Sequence, residues 1–218
     1  MPKLAVQLDF DGTVTEEDVS FLLLDTFANG DWRQYLAEYT ARKITVAAFS
    51  KKVFGMITAD EKTLTDFVLN SPKARTRRGL WELVDYCKRK GIKVVVVSNG
   101  LEFYIKAILD KKRITGVEVH AAASVFSPDG MQVRYIGPDG KEIDDGFKEA
   151  YTDMLCRQGF QVVYIGDGSS DIYSARKAQN VCATGHLLEL CRSEDLNWYP
   201  FEDFLDVVKV VRRIDLNK

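Results

Sequence analysis

Two carboxylates stand at the exit of an apolar run near the start of the chain. In LAVQLDFDGTVTEE, residues 4–17, Asp9 and Asp11 follow Leu4, Val6 and Leu8. A carboxylate set against a buried strand is costly unless a metal, a cation or hydrogen-bond donors compensate it. Side chains i and i+2 of a strand share a face, so both acids point the same way and repel one another. Three further stretches carry groups that could complete a site: Ser98-Asn99-Gly100 after the run ending at Val97, Lys148 in GFKEA, and GDGSSD at 166–171 with Asp167 and Asp171. Each has a bland reading alone. D-x-D-G suits a turn, Ser98-Asn99-Gly100 a helix cap, Lys148 a solvated surface and GDGSSD an acidic loop ahead of a helix. A calcium-loop reading of residues 9–20 fails, because Val14 stands where the loop glycine belongs and Ser20 where the bidentate glutamate belongs. Taken in order, the four stretches point to one functional site.

Such a site needs several strands that end at one rim. Leu4–Leu8 reads as a short buried strand, and Ile92–Val97 as a β-branched run of the kind found in parallel strands covered on both faces. Val117–Phe126 and Gln161–Ile165 read as further strands, with a short one near Val181. Helical patterns lie between them at 78–90 (stopping at Gly91), 101–109, 147–157 and 171–178, and in the tail at 201–214. SPDG at 127–130 and GPDG at 137–140 are turn signals flanking Met131–Ile136, which suggests a hairpin. This alternation predicts an α/β fold with a doubly wound, mainly parallel Rossmann-like sheet, in which ligands gather at the carboxyl ends of the strands. The alternation stops between residues 15 and 71, where helical patterns at 21–27, 32–41, 45–56 and 62–69 precede Ser71-Pro72. With its own Trp32, Phe49 and Phe54, this block reads as a small inserted helical cap domain, 15–71, on a core domain of 1–14 and 72–218.

The bulk properties bound the partners. The 218 residues are 46% hydrophobic and 28% charged, with a net charge of -2 and a pI near 5.8. That balance supplies no general attraction to nucleic acid or to anionic membranes. The basic clusters (Lys73, Arg75, Arg77 and Arg78; Lys88–Lys90; Lys111–Arg113; Arg212 and Arg213) read as solvated helix ends. Cys87, Cys156, Cys182 and Cys191 have no C-x-x-C spacing and read as free thiols. The two histidines, His120 and His186, are too far apart to suggest zinc. Neither a signal-peptide pattern nor a run long enough to span a bilayer is present, so a cytoplasmic monomer or homodimer is expected.

The four stretches resemble the motifs of the haloacid dehalogenase superfamily along nearly the whole chain. Asp9-Phe10-Asp11-Gly12-Thr13 is similar to its first motif, Ser98 to its second, Lys148 to its third, and Gly166-Asp167-Gly168 with Asp171 to its fourth. The helical block directly after the first motif is similar to the cap of its phosphoserine-phosphatase type. Leu187-Leu188, Cys191 and Tyr199-Pro200-Phe201 further resemble the branch that holds the methionine-salvage phosphatases acting on 2-hydroxy-3-keto-5-methylthiopentenyl-1-phosphate. One departure stands out: that branch carries cysteines just before the lysine, and Gly140–Phe147 has none.

The resemblance implies a Mg²⁺-dependent phosphatase for a small phosphate monoester, so the expected partner is a small phosphorylated metabolite. Asp9 is the implied nucleophile, forming an aspartyl-phosphate. Asp11 is the acid that protonates the leaving alkoxide, and then the base that activates water. Asp9, Asp11 (through its carbonyl) and Asp167 are the implied Mg²⁺ ligands, with Asp171 orienting the set. Gly12, Thr13, Ser98, Asn99 and Gly100 are expected around the phosphate, and Lys148 offsets the carboxylates. Asp18 stands where phosphoserine phosphatases carry a cap carboxylate for the substrate amine. An ungapped match puts Val53 where their cap arginine belongs, with Lys51 and Lys52 nearby. Tyr39, Phe49, Phe54 and Met56 form either the cap's own core or an apolar pocket wall. The rival readings are a phosphoserine phosphatase, a phosphomutase and a phospho-accepting receiver-type signalling domain. The receiver fits poorly, since its paired acids are adjacent and it has no room for a helical insert. An acid at position 11 argues against a dehalogenase, and the absence of G-x-x-x-x-G-K against a P-loop kinase.

Overall fold

The structure, a computed structural model, describes residues 3–216. Seven strands, β1 (Lys3–Leu8), β2 (Lys93–Leu101), β3 (Glu118–Val125), β4 (Gln132–Arg134), β5 (Phe160–Gly166), β6 (Asn180–Ala183) and β7 (Trp198–Pro200), form one sheet in the order β4-β3-β2-β1-β5-β6-β7. Every neighbouring pair is parallel except β3 with β4. The chain winds outward from β1 to β3, then crosses back to β5 and winds the other way. The switch point therefore lies beside β1, where α/β sheets open a crevice at their carboxyl ends. The central strands are buried along almost their whole length, as expected for a largely apolar sequence covered on both faces.

Among the described residues ten α-helices accompany the sheet: α1 (Val19–Phe27), α2 (Arg33–Thr40), α3 (Val46–Phe54), α4 (Glu61–Asn70), α5 (Leu80–Lys90), α6 (Glu102–Lys111), α7 (Phe147–Arg157), α8 (Ile172–Ala175), α9 (Gly185–Ser193) and α10 (Phe204–Leu216). Asp18, Thr45 and Asp60 start α1, α3 and α4 by accepting the N–H of Phe21, Ala48 and Thr63 at 2.8, 3.2 and 2.7 Å. The chain leaves the sheet and returns to it through paired segments: the Glu16 N–H donates to the Arg75 carbonyl at 2.9 Å, and the Arg77 N–H to the Val14 carbonyl at 2.8 Å.

Several local expectations differ from what is observed. Trp32, Phe49, Phe54, Ile57 and Leu64 belong to the same buried cluster as Leu8, Val96 and Ile105, so the helical block has no separate core. Helix α8 spans only 172–175, after a single 3-10 turn at Ser169–Asp171, and α10 begins at Phe204. Helix α9 and strand β7 carry weak sequence signals. The first buries only Leu187 and Cys191, and the second is a three-residue edge strand ending in proline. The hairpin is formed by β3 and β4 around SPDG, with Ala123 opposite Arg134. Burial pushes the Cys87 and Cys182 thiols up to about 12, which keeps them protonated and unreactive. No helix among the described residues is long and apolar enough to cross a membrane.

Candidate active site

Asp9 lies one residue beyond β1. Its N–H donates to the Ile165 carbonyl at 2.9 Å, carrying the β1–β5 pairing one step further, and its side chain is buried at the rim. Lys148, in the first turn of α7, places Nζ 2.8 Å from Asp9 Oδ1 and 2.7 Å from Asp171 Oδ1. Two core residues set that turn against β1. Gln7 donates through Nε2 to the Lys148 carbonyl at 3.1 Å, and the Thr152 hydroxyl lies 2.9 Å from Gln7 Oε1. Asp171 is fully buried and accepts four hydrogen bonds. Lys148 and the Tyr164 hydroxyl (2.5 Å) meet Oδ1, while the N–H groups of Asp167 (3.0 Å) and Gly168 (2.9 Å) meet Oδ2. The 166–171 loop thus folds around Asp171 and presents Asp167 beside Asp9.

The first loop closes against the same group. The Thr13 hydroxyl donates to Asp167 Oδ1 at 2.7 Å, and a Cβ on Gly12, whose φ is +77°, would lie 2.4 Å from Asp167 Oδ2. Only glycine permits that approach. Arg77 holds the loop from outside, donating through Nη2 to the Gly12 carbonyl at 2.8 Å and through Nε to the Thr13 carbonyl at 3.1 Å. Asp11 faces the start of α1, where Oδ1 accepts the Val19 N–H at 3.0 Å and Oδ2 accepts the Tyr104 hydroxyl. On the β2 side, Ser98 Oγ accepts the Gly100 N–H at 3.0 Å. A Cβ on Gly100 would collide with the Tyr104 hydroxyl and Asp11 Oδ2, so glycine is required there by contact rather than by φ.

The electrostatics follow from four carboxyl groups sharing one ammonium. Burial pushes Asp9 up, Asp171 adds to this, and Lys148 opposes it. Burial and then Asp171 raise Asp167 as well, against the Thr13 hydrogen bond. Burial disfavours the Lys148 charge, but Asp171 and Asp9 outweigh it and hold the lysine protonated well above its usual range. Burial brings Asp11 up to about 6, against the pull of Tyr104 and the Val19 N–H, which places it where it can both give and take a proton near neutral pH. Asp18 is raised by burial and by Asp11. Carboxylate oxygens of Asp9, Asp167 and Asp171 lie within 4.8 Å of one another. This all-oxygen, mutually repelling set fits a hard divalent cation such as Mg²⁺, which would relieve the repulsion that Lys148 alone cannot.

Above this floor is a cavity of about 460 Å³. Asp9, Asp11, Gly12, Ser98, Asn99, Gly100, Lys148 and Asp167 line its base, and Asp18 one side. The helical insertion roofs it with Phe21, Leu24, Leu36, Tyr39, Val46, Phe49 and Phe54. Lys148 is the one lysine or arginine among the lining residues, and an adjoining opening of about 770 Å³ past Tyr39 carries Arg42 and Lys43. Lys51 pairs outside with Glu142 at 2.8 Å and Lys52 with Glu38 at 3.3 Å, while Val53 is fully buried and does not reach the cavity. Phe49 and Phe54 serve both readings made of them, being buried in the core and exposed to the cavity on one edge; Met56 does not line it.

The expected residues therefore converge, with two corrections. Thr13 is buried and off the cavity wall, and its hydroxyl is committed to Asp167, so it does not reach a phosphate through its side chain. Arg77 is no solvated helix end, because it grips two carbonyls of the first loop. Asp18 lines the cavity but is also the N-cap of α1. Tyr104, Tyr164, Gln7 and Thr152 join the site without a motif to mark them, although Gln7 and Tyr164 interrupt otherwise apolar strands. A polar side chain there must find a buried partner.

The chain is matched over residues 6–176 by the family model of haloacid dehalogenase-like hydrolases. It is 30% identical to the 2-hydroxy-3-keto-5-methylthiopentenyl-1-phosphate phosphatase of Geobacillus thermodenitrificans, covering 98% of each chain. It is 26% identical to the protein of the same name from Brevibacillus brevis, covering 97% of this chain and 96% of that one. Among solved structures, a substrate-bound phosphoserine phosphatase complex superposes with a TM-score of 0.69 at 15% identity, covering 96% of this chain and 99% of that chain, which is a likeness of fold.

Proposed function

The chain belongs to the haloacid dehalogenase-like hydrolases and is a phosphoric monoester hydrolase; from that premise we propose that it cleaves a small phosphate monoester with a weakly polar tail, using Mg²⁺ and Asp9 as nucleophile. The observation that carries this reading is the convergence of Asp9, Asp11, Ser98, Lys148 and Asp167 beneath a roof of apolar side chains. The floor suits a phosphate and the roof suits an apolar tail. The relatives' named substrate, 2-hydroxy-3-keto-5-methylthiopentenyl-1-phosphate, is an ester of this class, and we extend it to this chain as the proposed substrate.

In this reading Asp9 Oδ attacks phosphorus, and the P–O bond to the leaving alkoxide breaks as Asp11 gives it a proton. Asp11 then takes a proton from water, which attacks the aspartyl-phosphate and frees phosphate and Asp9. Ser98, with backbone groups of Gly12, Asn99 and Gly100, holds the phosphoryl oxygens. Lys148 favours the charged form of Asp9 against burial and holds it in place, and Asp171 holds Lys148 and the 166–171 loop. Asp9, the Asp11 carbonyl and Asp167 would hold Mg²⁺, with Asp171 behind them; when bound, the ion supplies charge neutralisation for the phosphoryl group. Residues 15–71 act as the cap domain that carries the roof, on a core domain of 1–14 and 72–218.

Turnover of p-nitrophenyl phosphate is expected to vanish in EDTA and return with added Mg²⁺, and full activity in EDTA would sink the metal assignment. The same ion should raise the melting temperature through linkage. Asp9, Asp11 and Asp167 all have raised folded-state pKa values, so they bind more protons folded than unfolded, and the repulsion among them grows as pH rises. The Mg²⁺-dependent shift should therefore be larger at pH 8 than at pH 5. An equal shift at both would count against binding at these carboxylates.

Phosphoserine is expected to be a poor substrate. Asp18 could meet its amine, but no lining cation other than Lys148 is available for its carboxylate, since Lys51 and Lys52 are paired outside and Val53 is buried. Loss of a charge-assisted pair in a closed site is worth about 1.5–3 kcal/mol, or roughly ten- to a hundredfold in kcat/KM. Phosphoserine ranking first in a side-by-side comparison with less polar phosphate esters would overturn this.

A further inference from the structure

The Tyr135 hydroxyl stands in the middle of a hydrogen-bonded chain that joins the helical insertion to the Ser98 loop. Tyr135 is fully buried, and its hydroxyl donates to the Asn99 carbonyl at 2.6 Å. A phenol has one hydrogen, so the Ser50 hydroxyl of α3, 2.8 Å away, must be the donor in the second contact. The peptide whose oxygen Tyr135 holds is the one whose N–H belongs to Gly100, and that N–H donates to Ser98 Oγ at 3.0 Å. A peptide group is rigid and planar, so gripping its oxygen also aims its N–H. Ser98 Oγ accepts at this point, which leaves its own hydrogen to be donated elsewhere, and Ser98 lines the cavity. Ser50, Tyr135, the Asn99–Gly100 peptide and Ser98 thus donate in one direction, and aligned hydrogen bonds polarise one another.

The two ends belong to different parts of the fold. Ser50 sits on α3 between the roof residues Phe49 and Phe54. The segment carrying Tyr135 is tied to the insertion, with the Met131 N–H donating to the Ile57 carbonyl at 3.0 Å and the Ala47 N–H to the Asp144 carbonyl at 3.1 Å. Asn99 belongs to β2 of the sheet.

We propose that Tyr135 is a positioning residue that relays the seating of α3 to the Ser98 hydroxyl, so that the roof's contact with a substrate tail strengthens the grip on its phosphate. The relay rests on the reading of Ser98 as a phosphate donor, and its test separates the two. Inorganic phosphate serves as the probe, as a competitive product inhibitor of p-nitrophenyl phosphate turnover by the Mg²⁺-loaded enzyme. Ser98→Ala should raise its Ki about tenfold and Tyr135→Phe about fivefold, while the double variant should be no worse than Ser98→Ala alone. Ser50→Ala should raise Ki about twofold in the natural background and not at all beside Ser98→Ala, which keeps the test open if Tyr135→Phe folds poorly. A Tyr135→Phe effect or a Ser50→Ala effect that persists undiminished in the Ser98→Ala background overturns the relay alone. An unchanged Ki for Ser98→Ala overturns the Ser98 reading and the relay with it.

Discussion

Asp9→Asn is expected to lower turnover by at least about four orders of magnitude while leaving the protein folded. Asn keeps the shape of the side chain and removes the attacking oxygen's charge. It also takes one carboxylate out of a buried, mutually repelling set, so its melting temperature should equal or exceed that of the natural protein in the absence of Mg²⁺. Lys148 keeps Asp171 as a partner at 2.7 Å, so it is not left unpaired. Asp11→Asn should behave differently, because it still allows attack on phosphorus but gives no proton to the alkoxide and takes none from water. Acid-quench trapping of ³²P-labelled protein is expected to show no label with Asp9→Asn. With an activated ester, whose leaving group needs no proton, Asp11→Asn should accumulate label. Label on Asp9→Asn at natural levels would remove Asp9 from the nucleophile's role.

Lys148→Met, which keeps the side chain's length and removes its charge, is expected to cost about 3–5 kcal/mol of stability near pH 8 along with activity. Its ammonium lies against Asp9 and Asp171, both almost without solvent, and no other cation among the described residues pairs with them. The loss has a definite pH dependence. Without the lysine the folded-state pKa of Asp9 rises further above its unfolded value, so the folded protein takes up more protons than the unfolded one. The penalty is absent below the unfolded pKa and grows as pH rises towards the folded pKa. Urea unfolding at pH 5 and pH 8 should therefore show the smaller difference from the natural protein at pH 5. A pH-independent difference would mean that lost packing, rather than uncompensated charge, explains the defect.

Among the roles at this site, those that act over short distances along the chain were legible in advance. Asp9 and Asp11 are two residues apart at the end of a buried strand, and their period, together with the cost of burying charge, announces both a rim and a need for cations. Gly166-Asp167-Gly168 and Asp171 are likewise close in sequence, and their loop folds by hydrogen bonds spanning only three and four residues. The alternation of strands and helices implied the doubly wound sheet for the same reason, since hydrophobic period is a local property.

Long-range partnerships were a different matter. Tyr104 reaches Asp11 across 93 residues, Arg77 reaches Gly12 across 65, and Thr13 turns its hydroxyl to Asp167 across 154. A tyrosine on a helix face, an arginine in a basic cluster and a threonine after a glycine each have several ordinary destinations. Which one they take depends on how β1, β2 and β5 register and on where α5 and α6 pack. The same holds for the roof: Phe49 and Phe54 read equally as core or as pocket until the insertion is laid on the sheet, when they prove to be both. From the chain alone came the chemistry of the site and the strands that end at it, because residue type and spacing along a strand dictate charge and direction. Only the tertiary structure decided which hydroxyls, carbonyls and guanidinium hold that chemistry in place, because hydrogen bonds between distant segments exist only once the sheet has brought their partners within about 3 Å.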